Sequence, residues 1–128
     1  MEARELRIGN IAEYLITRNP DIWEEFTTSP ATYGRIIIEP ERYRGIPLTE
    51  DWLKRFGFEV TIETTWSFGY DKKFNVWRLN GFTYNQIQAA WWYNGAVLKH
   101  QPEFVHQLQN LYFALNGSEL TPNKTDNK

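Results

Sequence analysis

The chain has 128 residues, a net charge of −2, 41% hydrophobic and 23% charged residues, which is the size and make-up of one ordinary folded domain with a single core. So small a net charge gives no long-range field to draw the whole molecule to nucleic acid or to a membrane, so any electrostatic binding must be local. The absence of cysteine excludes disulfides, thiolate nucleophiles and cysteine-based zinc sites, while the 16% aromatic content, including 6 Trp, asks for bulky core filling or a surface made for contact.

Residues 6–17 are ambiguous at first reading: Gly9-Asn10 interrupts them, yet Ile11, Tyr14 and Leu15 also fit a helix. Asn19-Pro20-Asp21 breaks the chain, and residues 21–28 suit a short helical turn with Trp23 and Phe26 on one side. Residues 34–39 hold Ile36-Ile37-Ile38, a β-branched run that predicts a short strand ending at Pro40. A helix is predicted over 49–56, with Thr49 as cap, Glu50 and Asp51 at the positive end of the dipole, and Gly57 as stop.

Residues 58–65 alternate, with Val60 and Ile62 on one face and Glu59, Thr61 and Glu63 on the other, the pattern of a half-exposed strand. Residues 66–98 then read as a meander, with a turn at Tyr70-Asp71-Lys72-Lys73 and hairpin signals at Asn80-Gly81 and Asn94-Gly95. The last helix, over 105–116, carries Phe104, Val105, Leu108, Leu111, Tyr112 and Leu115 as an apolar stripe, with Leu108, Leu111 and Leu115 expected against the sheet. Glu103, His106, Gln107 and Asn110 fall on its opposite face, and Asn116-Gly117 supplies a left-handed stop. The expectation is an α+β fold: one domain over residues 1–120, a twisted antiparallel meander packed against the C-terminal amphipathic helix and a shorter central helix, followed by a disordered polar tail at 121–128.

Catalytic chemistry finds little to work with. The two imidazoles, His100 and His106, are six residues apart and match neither strand alternation nor one helix face, and a single Glu103-x-x-His106 pair lacks the second copy that di-iron bundles use. Both read as solvated or hydrogen-bonded groups. Ser29, Ser67 and Ser118 have no marked base, Glu24-Glu25 and Glu50-Asp51 are sequence neighbours that do not face each other on a helix, and no glycine-rich phosphate loop is present. A non-enzymatic protein without metal or cofactor is expected.

The one asymmetry lies between Asp71 and Glu103, where no acidic residue occurs. Lys72, Lys73, Arg78 and Lys99 are interleaved there with Trp77, Trp91, Trp92 and Tyr93, which makes these eight the candidate binding residues. Basic groups can follow a phosphate backbone and aromatic faces can stack bases. Strand alternation buries half of such rings, so core packing competes directly with a binding surface. Trp91, Trp92 and Tyr93 are consecutive, so at least one of those rings must leave the core face. A sugar-stacking platform would draw on the amides of Asn85, Gln86, Gln88 and Asn94.

Two segments carry a resemblance: Ile46-Pro47-Leu48-Thr49-Glu50-Asp51-Trp52-Leu53-Lys54-Arg55-Phe56-Gly57-Phe58, and the helix Val105-His106-Gln107-Leu108-Gln109-Asn110-Leu111-Tyr112-Phe113-Ala114-Leu115-Asn116-Gly117. Together they resemble small uncharacterised proteins of phages, prophages and conjugative elements of the Bacteroidetes. The resemblance favours two short strands around a turn at 6–17. It implies an accessory protein that binds a host macromolecule, with inhibition of a CRISPR nuclease as the most concrete version. The rival readings are an RNA or single-strand nucleic-acid or small-ligand binding module using the basic aromatic sheet, and a component of virion assembly. With no cysteine, no apolar signal segment near Met1 and no apolar run of membrane-spanning length, a cytoplasmic location in the bacterial host is expected.

Overall fold

The computed structural model describes residues 1, 3–67 and 69–123. It is α+β, with antiparallel pairing throughout, and its strands fall in two sheets of three and five strands. The chain divides into two compact units, Met1–Leu48 with Pro102–Leu120, and Thr49–Gln101 with Thr121–Lys128.

The first unit contains strands β1 (Ile11–Thr17), β2 (Ile22–Thr27) and β3 (Tyr43–Arg44) in the order β2-β1-β3, helix α1 (Pro30–Ile38) and the C-terminal helix, Val105–Asn116. A single turn of 3-10 helix at Ala3–Glu5 precedes β1, so residues 6–17 supply one strand rather than two. Residues 21–28 form a strand, not a helical turn. The reason lies in Trp23 and Phe26, which take opposite faces: Phe26 meets the Tyr43 ring edge-on at 5.5 Å, and Trp23 lies under the Arg44 guanidinium at 4.0 Å.

The isoleucine run is likewise helical. Ser29 accepts a hydrogen bond from the Thr32 amide at 3.3 Å and Pro30 occupies the first turn, a start signal that outweighs the strand preference of Ile36-Ile37-Ile38. Only Ile36 is buried there, beside Leu6, Ala12 and Tyr43, while Ile37 and Ile38 are exposed.

The C-terminal helix presents a different face from the one predicted. Val105, His106, Leu108, Gln109 and Tyr112 are buried, Leu111 is half-buried and Leu115 is exposed. Gln107 caps the helix by accepting from the amides of Glu103 and Phe104, at 2.8 and 3.1 Å, and Gly117 ends it with φ 75°. His106 is therefore not solvated. Its ring stacks on Phe104, its Nε2 lies 4.0 Å from a Glu5 carboxylate oxygen, and its Nδ1 is buried with no hydrogen-bond partner among the described residues.

Burial holds the His106 pKa below its ordinary 6.5, with Glu5 pulling weakly the other way. The folded protein thus favours neutral His106, and the unfolded chain takes up a proton first as the pH drops. This part of the stability is fully present above about pH 6.5 and is lost as pH falls through the lowered folded-state value. Thermal unfolding followed from pH 7.5 downward should show a melting temperature that declines below about pH 6.5, less steeply in His106→Gln. Equal slopes in the two proteins would remove His106 from the acid response.

The second unit contains helix α2 (Glu50–Arg55) and strands β4 (Glu59–Ser67), β5 (Tyr70–Leu79), β6 (Phe82–Asn85), β7 (Ala90–Tyr93) and β8 (Ala96–Val97), in the order β4-β5-β6-β7-β8. The hairpin signals hold: Asn80-Gly81 joins β5 to β6 and Asn94-Gly95 joins β7 to β8, all four residues with positive φ. At Gly81 a side chain would also meet Asn94 Oδ1 at 2.6 Å. The turn expected at residues 70–73 lies earlier, at Gly69, and those four residues are the start of β5.

Thr49 makes no side-chain cap bond to α2. Glu50 ties the helix to the sheet instead, accepting from the Trp77 indole N–H at 2.7 Å and the Asn75 amide at 3.4 Å. Trp52, Leu53, Phe56, Phe58, Trp77, Phe82 and Trp91 form the buried set of this unit. Of the tail expected to be disordered, residues 121–123 are extended, with the Asn123 amide donating to the Arg55 carbonyl at 2.7 Å; the remainder, like Phe68, lies outside the described residues.

Candidate functional site

The register of the five-stranded sheet decides where each candidate residue goes. Pairs Trp77↔Tyr84, Tyr84↔Trp91 and Phe82↔Tyr93 place Lys73, Trp77, Trp91 and Tyr93 on one face, called here the inner face. Pairs Arg78↔Thr83, Thr83↔Trp92 and Thr65↔Lys72 place Lys72, Arg78 and Trp92 on the other, outer face. Lys99 follows β8 and belongs to neither.

Two of the eight candidates are core residues. Trp77 is 7% exposed and Trp91 3%, because the inner face is the one that receives α2 through the Glu50–Trp77 hydrogen bond. Trp91 packs edge-on against Phe58 at 5.7 Å and tilted against Tyr84 at 5.1 Å. Burial pushes the Tyr84 hydroxyl above its usual pKa, and the Glu50 carboxylate adds to the shift. Tyr93 is half-buried against Phe82 at 4.8 Å, so its ring is chiefly packing. As the sequence requires for three consecutive large rings, one of them leaves the core face: Trp92.

The outer face has a depression of about 350 Å³, lined by Glu63, Val76, Arg78, Thr83, Asn85, Gln88, Trp92 and Gly95. Its charged group is held in place. Arg78 donates from Nη1 to Thr61 Oγ1 at 2.9 Å and from Nη2 to Glu63 Oε2 at 2.8 Å, and Thr61 itself donates to the same carboxylate oxygen at 3.3 Å. Both partners of the Arg78–Glu63 pair are about half exposed, so the pair orients the guanidinium more than it stabilises the fold. Asn85 Oδ1 accepts from the amides of Ile87 and Gln88 at 3.0 and 3.3 Å, which fixes the loop after β6 and sets Gln88 at the rim. Among the described residues, the Gln88 carboxamide and the Trp92 indole N–H have no hydrogen-bond partner.

The structure thus brings together Arg78 and Trp92, with Lys72 further along the same face, and separates them from Lys73, Trp77, Trp91 and Tyr93. Glu63, Thr83, Asn85 and Gln88 join the site from β4, β6 and the following loop. Only Asn85 and Gln88 were foreshadowed, as amides suited to a polar ligand; the others share a face through strand register, which leaves no mark in local sequence.

A second hollow, of about 160 Å³, lies in the first unit among Tyr14, Phe26, Ala31, Thr32, Arg35 and Tyr43. Burial is the main cause holding the Tyr43 hydroxyl above its usual pKa, with Tyr14 adding to it. Among the described residues no three His, Cys, Asp or Glu side chains cluster, and no helix is long and apolar enough to cross a membrane. No family model, no curated protein and no solved structure matches this chain.

Proposed function

We propose that the protein is a non-enzymatic binding module that engages a protein partner through the outer face of its five-stranded sheet. The observation that carries this reading is Trp92, out of the core beside a guanidinium already fixed by Glu63 and Thr61. Tryptophan and arginine are the side chains that dominate hot spots, and a side chain ordered before binding loses less entropy on association. In keeping with the resemblance of the two sequence segments, the partner is a component of the bacterial host of a phage or mobile element, a defence nuclease being the most concrete case.

A nucleic-acid partner is less well supported. Lys72 and Arg78 share a face, Lys73 points to the opposite one, and Arg78 is already paired with Glu63. Too few unpaired cations line up to follow a phosphate backbone.

The test is an affinity capture from host lysate on immobilised protein, with and without nuclease, using wild type, Trp92→Ala and Arg78→Ala. A host protein should be retained whether or not nuclease is added. Trp92→Ala should weaken that binding by about 2 kcal/mol or more, roughly 30-fold in Kd, without moving the unfolding midpoint. Retention that vanishes with nuclease would favour the nucleic-acid reading. Equal retention by both variants would move the binding surface off this face, with the hollow between Phe26 and Tyr43 next in line.

A further inference from the structure

β4 is the terminal strand of its sheet, so one of its edges has no strand partner among the described residues. Such an edge offers a row of N–H and C=O groups to another strand, and proteins normally blunt it with lysine, proline or a bulge. β4 has none of these: its sequence, Glu59-Val60-Thr61-Ile62-Glu63-Thr64-Thr65-Trp66-Ser67, contains neither lysine nor proline, and it pairs with β5 without a register break. Val60, Ile62 and Trp66 stand on one face of this open edge, 47%, 71% and 70% exposed.

We infer that this edge joins two copies of the chain, β4 to β4, antiparallel about a two-fold axis that passes through Thr64 perpendicular to the sheet. The strand is complementary to itself in that register and not in the neighbouring ones. Ile62 falls opposite Trp66 of the second copy, Trp66 opposite its Ile62, and the two Thr64 side chains face each other. Aromatic with β-branched and threonine with threonine are the cross-strand pairs that stabilise sheets. On the other face Glu63 meets Thr65 of the second copy, whose own neighbour in the sheet is Lys72, so each carboxylate is offered a hydroxyl and an ammonium group.

A two-fold through Glu63 would instead set the two Glu63 carboxylates against each other and Ile62 against threonine. One through Ile62 would carry Trp66 past the end of the opposite strand. Apolar matching and charge therefore select the same register. The contact is isologous and closes after two copies, which also explains how so open an edge avoids running on into fibres. It stands whether or not the outer face is the partner site.

The chain has no cysteine, so single thiols report the register cleanly. Wild type should show a concentration-dependent dimer by sedimentation equilibrium. Ile62→Lys, at an exposed position, should raise the dimer dissociation constant at least about tenfold while keeping the unfolding midpoint. Under mild oxidation Thr64→Cys should give a disulfide-linked dimer, because residues directly opposite across a two-fold lie within bridging range. Val60→Cys, whose counterpart would lie far along the opposite strand, should stay largely unlinked. A monomer at every attainable concentration, a dimer indifferent to Ile62→Lys, or equal linking of Val60→Cys and Thr64→Cys would each overturn the inference.

Discussion

Gln109→Leu should destabilise the protein by about 2–5 kcal/mol, although leucine is nearly the same size and better suited to an apolar surrounding. Gln109 is fully buried on the C-terminal helix. Its carboxamide oxygen accepts from the Ile11 amide at 2.8 Å, and its nitrogen donates to the Leu120 carbonyl at 3.0 Å and reaches the Gly9 carbonyl at 3.4 Å. Leucine would strand a buried donor at the start of β1 and a buried acceptor after the helix, each costing about 1–3 kcal/mol. Urea unfolding at neutral pH measures this. A loss below about 1 kcal/mol would mean that water or a small backbone shift replaces the carboxamide.

Phe82→Ala should cost about 3–5 kcal/mol through lost burial and the cavity it leaves. Phe82 is fully buried at the first position of β6, with its ring 4.8 Å from Tyr93 and 6.3 Å from Trp91. Neither neighbour is free to collapse into the space, since Trp91 also packs on Phe58 and Tyr84. Tryptophan fluorescence during urea unfolding follows this unit directly. A change under about 1 kcal/mol would show that the aromatic set repacks around the missing ring.

Features governed by local geometry were legible in the sequence. Asn80-Gly81 and Asn94-Gly95 announced hairpins because positive φ at consecutive residues is a requirement only a few residue types satisfy. Helices at residues 50–55 and 105–116 followed from periodicity and stop residues. What failed depended on distant pairing. Trp23 and Phe26 suit a helix until β1 and the Tyr14↔Tyr43 pair offer each its own partner. Ile36-Ile37-Ile38 suits a strand until Ser29-Pro30 is given its due as a helix start. Within the candidate site, alternation told that half the rings were core, but the phase was set elsewhere, by Glu50 taking the Trp77 indole to the helix side.

The hydrogen bond from Ile11 to Gln109 spans 98 residues of chain, and this bears on birth at the ribosome. The body of the second unit, residues 49–101, is continuous and can fold as soon as it emerges, whereas the first unit needs residues 102–120 before β1 can be capped. During that interval the β1–β2 hairpin waits with apolar surface uncovered, including Ile16 and Ile22, which stay exposed even in the finished fold. Early folding of the intervening segment brings the two halves of the first unit closer along the effective chain and shortens the loop still to be closed. Synthesis rate and chaperone access, more than equilibrium stability, then govern how much of the protein matures without aggregating.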